Sequence, residues 1–139
     1  MFLDASAIVA ILAREVDAGA LLERIEAAPP PLYVSPLARF EAVFGLARAK
    51  AKARADRPDL QIANAAAVVE AVLSALGAVE VPITDEIGAA AIEAGRRYGR
   101  AVGSAADLNF GDCFAYACAR QLGVPLLYKG QDFAQTDLR

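Results

Sequence analysis

Met1-Phe-Leu-Asp4-Ala-Ser6-Ala-Ile-Val-Ala-Ile-Leu12 opens the chain with an apolar run that meets an aspartate after three residues and then resumes. Phe2 to Asp4 reads as a short strand, and Ser6 to Ala13 as a short helix with Ile8, Ile11 and Leu12 at helical spacing. An unpaired carboxylate loses several kcal/mol or more on leaving water for an apolar site, so an acid ending a core strand is hydrogen-bonded, paired or holding a cation. Two readings stay open at this stretch. Asp4 or Ser6 caps the helix that follows, since both residue types favour N-caps, or Asp4 is a metal-binding carboxylate, which requires other acids at the same place.

Outward from that start, strands and helices alternate. Ala18 to Ala28 forms a second helix, with Leu21, Leu22 and Ile25 on one face and Glu23, Arg24 and Glu26 outside, ended by Pro29-Pro-Pro31. Leu32 to Val34 is the second strand. Ser35 and Pro36 then spell an N-cap followed by proline at the first helical position, opening a long helix to about Ala55. Its apolar stripe is Leu37, Phe40, Phe44 and Ala47, and Glu41 falls within it, an acid on a side expected to face inward. Pro58 starts a helix through Val68, Val69, Val72, Leu73 and Leu76 that Gly77 stops. Val79 to Ile83 is the third strand. Thr84 caps a helix from Asp85 to Tyr98 with Ile87, Ala91 and Ile92 inward, Gly99 to Leu108 is a loop, and Asn109 caps a helix from Phe110 to Leu122 ending at Gly123. Pro125 to Tyr128 is the fourth strand, after which Gly130 turns the chain and Asp132-Phe133 opens a short terminal segment.

This alternation predicts an α/β fold: a mostly parallel sheet of four to five short strands with helices on both faces, in one domain over residues 1–139. With 57% hydrophobic and 22% charged residues the chain can bury a substantial core. Its formal net charge of −3 argues against a protein that coats nucleic acid through general basicity. Histidine is absent, which excludes Ser/His and Cys/His catalytic pairs, histidine zinc sites and paired-imidazole ribonuclease chemistry. Cys113 and Cys118 lie five residues apart in one helix, too far for an unstrained disulfide, and are expected to be reduced core thiols. The N-terminus lacks a basic region and no run approaches a membrane span, so a cytoplasmic protein is expected.

In an α/β fold, ligands bind beyond the carboxyl ends of the strands. Asp4 ends the first strand, Glu41 lies early in the helix after the second, Asp112 is in the first turn of the helix entering the fourth, and Asp132 follows the fourth. All four positions fall at one edge of the sheet. Crowded carboxylates repel one another unless a hard divalent cation with oxygen ligands joins them, and Mg²⁺ or Mn²⁺ fits best. Such a centre activates water and stabilises the oxygens of a phosphodiester, replacing the missing histidine chemistry. Each acid also has an ordinary use: Asp112 can complete a capping box with Asn109, Asp132 can belong to a turn with Gly130, and Glu41 can pair with Arg48 or Arg39. Basic residues gather at two helix ends, Arg48, Lys50, Lys52, Arg54 and Arg57 in one and Arg96, Arg97 and Arg100 in the other. The helix dipole favours them there, and both groups are expected to point away from the acidic edge.

Asp4-Ala-Ser6 after its strand, the inward Glu41, Asn109-Phe-Gly-Asp112-Cys-Phe-Ala-Tyr-Ala and Leu127-Tyr-Lys-Gly-Gln-Asp132-Phe-Ala-Gln-Thr136-Asp137 together resemble the PIN-domain ribonucleases, most closely the VapC toxins of bacterial toxin–antitoxin pairs. The resemblance spans essentially the whole chain, and the Asn-Phe-Gly-Asp and Lys-Gly-x-Asp-Phe stretches are its specific parts. It implies a PIN-like three-layer α/β/α fold in which Asp4, Glu41, Asp112 and Asp132 hold the metal, with Ser6 near the metal or its water and Asn109 beside the pocket. It further implies a homodimer, cleavage of structured RNA such as transfer RNA, and a tightly bound antitoxin of the VapB type covering the active site. Gln131 stands where close relatives often carry a second acid, and Thr136-Asp137 lie close to Arg139, so a final edge strand is expected to be very short.

Three rival readings start from the same pocket. An aspartate-nucleophile phosphatase wants a second acid two residues after the first, where this chain has Ser6. A phospho-accepting receiver domain wants adjacent acids at the first strand and a lysine after the last, for which only Lys129 could serve. An inactive PIN-like binding module would keep the pocket as an interaction surface, and retention of all four acids speaks against it.

Overall fold

The computed structural model describes residues 1–50 and 57–138. Four two-residue strands, β1 (Phe2–Leu3), β2 (Tyr33–Val34), β3 (Val79–Glu80) and β4 (Leu126–Leu127), form one sheet in the order β3-β2-β1-β4. Every pairing is parallel, with Phe2 opposite Tyr33 and Leu126, Leu3 opposite Leu127, and Val34 opposite Glu80. Six helices complete the described fold: α1 (Ala5–Leu12), α2 (Ala18–Ala27), α3 (Pro36–Lys50), α4 (Pro58–Ala75), α5 (Asp85–Tyr98) and α6 (Phe110–Leu122). Short 3₁₀ turns occupy Arg100–Val102 and Asp132–Gln135. No fifth strand occurs among the described residues.

Because every strand is parallel, all carboxyl ends share one edge. The chain moves outward from β1 to β2 to β3 and then returns to place β4 on the other side of β1, so the order reverses between β1 and β4, where open α/β sheets form their ligand crevice. Asp4 leaves β1 beside that reversal. β1 is covered on both faces, with Phe2 at 0% and Leu3 at 1% exposure, which is why its strand residues are uninterruptedly apolar.

Helix α3 corrects the expected inward stripe. Its buried residues are Ala38, Ala42 and Leu46, whereas Phe40 is 58% and Phe44 39% exposed. The cause is close packing on α1: a Cβ on Gly45 would stand 2.8 Å from the Val9 Cγ2 methyl, so only the small-residue flank of α3 can approach, and the two phenylalanines turn outward and pack on each other with centroids 4.5 Å apart. Ile92 likewise points outward, at 77% exposure, while Ile87, Ala91 and Ala94 face the core. The expected extension of α3 to Ala55, with Lys52 and Arg54, falls outside the described residues. The expected loop from Gly99 to Leu108 contains the Arg100–Val102 turn and is closed by a parallel bridge between Gly99 and Leu108. Cys113 and Cys118 are buried free thiols. Among the described residues, no helix is long and apolar enough to cross a membrane.

Candidate functional site

Asp4 is buried at 3% exposure and is the N-cap of α1. Its Oδ2 accepts from the Ser6 amide at 2.9 Å and from the Ser6 hydroxyl at 2.5 Å. Ser6 Oγ in turn accepts from the Lys129 amide at 3.0 Å, linking the end of β1 to the segment leaving β4. Capping alone does not satisfy this carboxyl. Burial pushes its pKa up, the Ser6 and Ala5 bonds oppose that, and the charge of Asp132 raises it further.

Glu41 sits where α3 meets α6. Both carboxylate oxygens lie 2.1 Å from the place a Cβ on Gly111 would occupy, so residue 111 must be glycine for Glu41 to rest there. Arg39, a suggested partner for Glu41, is committed instead to Glu80 at 2.5 Å and Glu70 at 3.4 Å. Burial, followed by the charges of Asp4 and Asp112, pushes the Glu41 pKa up to about 7.

Asp112 makes the capping box anticipated from Asn109. The Asn109 amide donates to Asp112 Oδ2 at 2.8 Å and the Asp112 amide to Asn109 Oδ1 at 3.1 Å. Even so its pKa rises to about 6, because burial outweighs the Asn109 bond and the Asp4 and Asp132 charges add to it, while Arg100 pulls the other way. Asp132 is exposed and begins the 3₁₀ turn after β4.

Glu41 thus lies within electrostatic reach of Asp4 and Asp112, and Asp132 within reach of Asp4 and Asp112, while none of the four takes part in an ion pair among the described residues. As placed, no three acidic or thiol side chains among those residues surround one point closely enough to hold an ion. The donor set nevertheless fits a hard divalent cation: it is all oxygen, uncompensated, and includes a carboxylate seated in a cradle that a Cβ at Gly111 would fill.

Two participants escaped the sequence reading. Gly111 had a signal, a glycine in the first turn of a helix where it costs about 1 kcal/mol against alanine. Arg100 was expected to point away with its neighbours. The bridge between Gly99 and Leu108 folds it back instead: its amide donates to Leu108 O at 2.9 Å, its guanidinium meets Asp107 at 3.0 Å, and its charge reaches Asp112. The side chain of Lys129 is engaged by Glu15 and Asp17, at 3.8 Å from the latter, which leaves a receiver-type site without its lysine.

The sequence profile of the PIN domain matches residues 1–138. A VapC ribonuclease of Rhizobium meliloti (strain 1021) is 49% identical over 140 aligned residues, covering 99% of this chain and 98% of the relative. Ribonuclease VapC42 of Mycobacterium tuberculosis is 35% identical, covering 100% of this chain and 97% of the relative. Among solved structures, VapC20 of M. tuberculosis, described as a toxin that cleaves the sarcin-ricin loop, superposes with a TM-score of 0.74 at 18% identity, covering 99% of this chain and 95% of that one, a likeness of fold.

Proposed function

This chain belongs to the PIN-domain family, and from that premise we propose that it is an endoribonuclease toxin of a toxin–antitoxin pair, hydrolysing RNA phosphodiester bonds with Mg²⁺ or Mn²⁺ held by Asp4, Glu41, Asp112 and Asp132. The observation that carries this reading is the set of repelling carboxyls, with no ion-pair partner among the described residues, at the carboxyl edge of a parallel sheet. When bound, a divalent ion supplies positive charge beside the phosphodiester and lowers the pKa of water, in place of the imidazole acid–base chemistry that a chain without histidine lacks.

The remaining work falls to this chain's own groups. Ser6 fixes one oxygen of Asp4 and so leaves the other for a ligand. The Asn109 amide orients Asp112 in the same way. Gly111 lets Glu41 reach across from α3. Asp132, on the segment after β4, completes the oxygen set from the open side of the crevice. Similarity to VapC ribonucleases supports the associated expectations: a structured RNA substrate such as transfer RNA, an antitoxin of the VapB type over the pocket, a homodimer and a cytoplasmic setting. A cation from such an antitoxin can neutralise the carboxyls in place of the metal, because Arg and Lys pair with carboxylates through charge-assisted bonds.

The test is cleavage of total RNA and of transfer RNA by the purified chain in millimolar Mg²⁺ or Mn²⁺. Cleavage that excess EDTA abolishes and added metal restores is the expected outcome. Undiminished cleavage in EDTA, or none in either metal, would overturn the proposal.

A further inference from the structure

We propose that Arg100 and Phe110 form a nucleotide subsite beside Asp112, with the guanidinium on a backbone phosphate and the phenyl ring against an unstacked base of the RNA strand being cut. The inference rests on the nuclease reading and deepens it, since it assigns the substrate an unpaired base next to the scissile bond.

The two residues are brought together by the connection between α5 and α6. Leu108 N donates to Tyr98 O at 3.0 Å and Arg100 N to Leu108 O at 2.9 Å, and Ala106 and Leu108 are buried at 1% and 2% exposure. The Arg100 turn is thereby pinned to the entry of α6, two residues from Phe110. Phe110 is the first residue of α6, next to Gly111, which seats Glu41, and two before Asp112. It is 68% exposed and braced by Phe114, with centroids 5.0 Å apart and planes at 57°.

A single exposed phenylalanine carries no message by itself. Its neighbourhood supplies one. Four carboxyls at this edge repel a polyanion, and one peptide unit ties Arg100 to it: Leu108 O accepts from the Arg100 amide at 2.9 Å, while the Asn109 amide of the same peptide donates to Asp112 Oδ2 at 2.8 Å. Its partner Asp107 is exposed, and an exposed ion pair contributes little to stability, so a phosphate can displace Asp107 from the guanidinium at small cost. Guanidinium forks match phosphate oxygens, and aromatic rings beside them take bases by stacking without reading sequence. An uninterrupted duplex offers no free base face, so the subsite favours loops and single strands.

Binding of a fluorescein-labelled oligoadenylate is followed by anisotropy in the Asp4→Asn background with Mn²⁺, alongside cleavage by the otherwise native chain. Phe110→Ala is expected to weaken binding at least about five-fold and Phe110→Tyr to preserve it. Arg100→Gln is expected to weaken binding and to lower the slope of log K against log salt by about 0.7, one phosphate of a single strand. Asp107→Asn is expected to bind as tightly or more tightly, whereas a purely structural ion pair predicts weaker binding. Native affinity and salt slope in both Phe110→Ala and Arg100→Gln, with RNA still cut by the native chain, would overturn the subsite and leave the nuclease reading standing. An oligoadenylate left unbound while the native chain cuts transfer RNA would also overturn the subsite alone, whereas total RNA and transfer RNA left uncut in either metal would remove the nuclease reading and the subsite with it.

Discussion

Glu41 and Asp137 both lean on helix α6, at opposite ends of it, and their carboxyls are pushed in opposite directions. Asp137 accepts from the Tyr116 hydroxyl and from Arg120, each at 2.6 Å. The Tyr116 bond first, and then the Arg120 charge, hold its carboxyl below the ordinary carboxylate range. Burial first, and then the same contact, push the Tyr116 hydroxyl up to about 12. At the other end Glu41 meets a bare glycine and two more acids, and its pKa rises to about 7. One helix thus meets a carboxylate that strengthens the fold at one end and another that burdens it at the other. A burden of this kind is consistent with a group arranged for a cation or a substrate, because a purely structural acid acquires a partner.

The strongest way to break the comparison is to remove charge at the acidic end. Asp4→Asn and Asp112→Asn are each expected to lower metal-dependent RNA cleavage by about 10²-fold or more while the fold persists, as read by steady-state rates with circular dichroism as control. The equivalent change at the other end, Asp137→Asn, is expected to leave cleavage unchanged. Cleavage lost equally in both would mean that the two ends do not differ in function.

Gly111→Ala is the next largest. The new methyl collides with the end of the Glu41 side chain, which can swing away, so the cost falls on the site rather than on the backbone. Cleavage is expected to fall about ten-fold or more, while the melting temperature holds or rises, since alanine is favoured over glycine in helices by about 1 kcal/mol. A large loss of stability would show instead that α3 and α6 cannot separate locally.

Stability against pH sharpens the contrast without any catalysis. Glu41 titrates near 7 when folded against an ordinary 4.5, so the folded state binds more protons in that window and stability falls as pH rises through it. In EDTA, Glu41→Gln is expected to abolish this decline and to be the more stable protein above pH 7, by about 1 kcal/mol once solvent screening of a half-buried group is allowed for. Asp112→Asn is expected to behave similarly over the window ending near pH 6, because asparagine keeps an acceptor for the Asn109 amide while the repulsion disappears. Denaturant midpoints at pH 5 and pH 8 decide it, and a destabilised Asp112→Asn at both would return that residue to a capping role alone.

The smallest effect belongs to the paired end. Asp137 has a depressed pKa, so its contribution is present above the ordinary carboxylate range and is lost as pH falls through the lowered value. Removing it by Asp137→Asn is expected to cost less than about 1 kcal/mol at pH 7, as befits an exposed pair. The same thermal melts measure it.

Much of this was legible in the residues because it depends on local rules. The strand before Asp4, the proline that opens α3, the Asn109–Asp112 box and the glycine stop after α6 follow from spacings of one to four positions and from backbone preferences that travel with the residue. The absence of histidine likewise narrows the chemistry by composition alone. The flank of α3 that turns inward could not be read in this way. Leu37, Phe40, Phe44 and Ala47 outweigh Ala38, Ala42 and Gly45 in apolar area, and only the close approach of α1, with Val9 against Gly45, reverses the choice. Arg100 and Gly111 were decided at the same level. One is carried back to the acidic edge by a bridge between Gly99 and Leu108, and the other becomes necessary through a glutamate seventy residues earlier in the chain. Chain-local preference sets where elements begin and end, whereas excluded volume between elements sets which side chains meet, and that quantity has no value until the helices are packed.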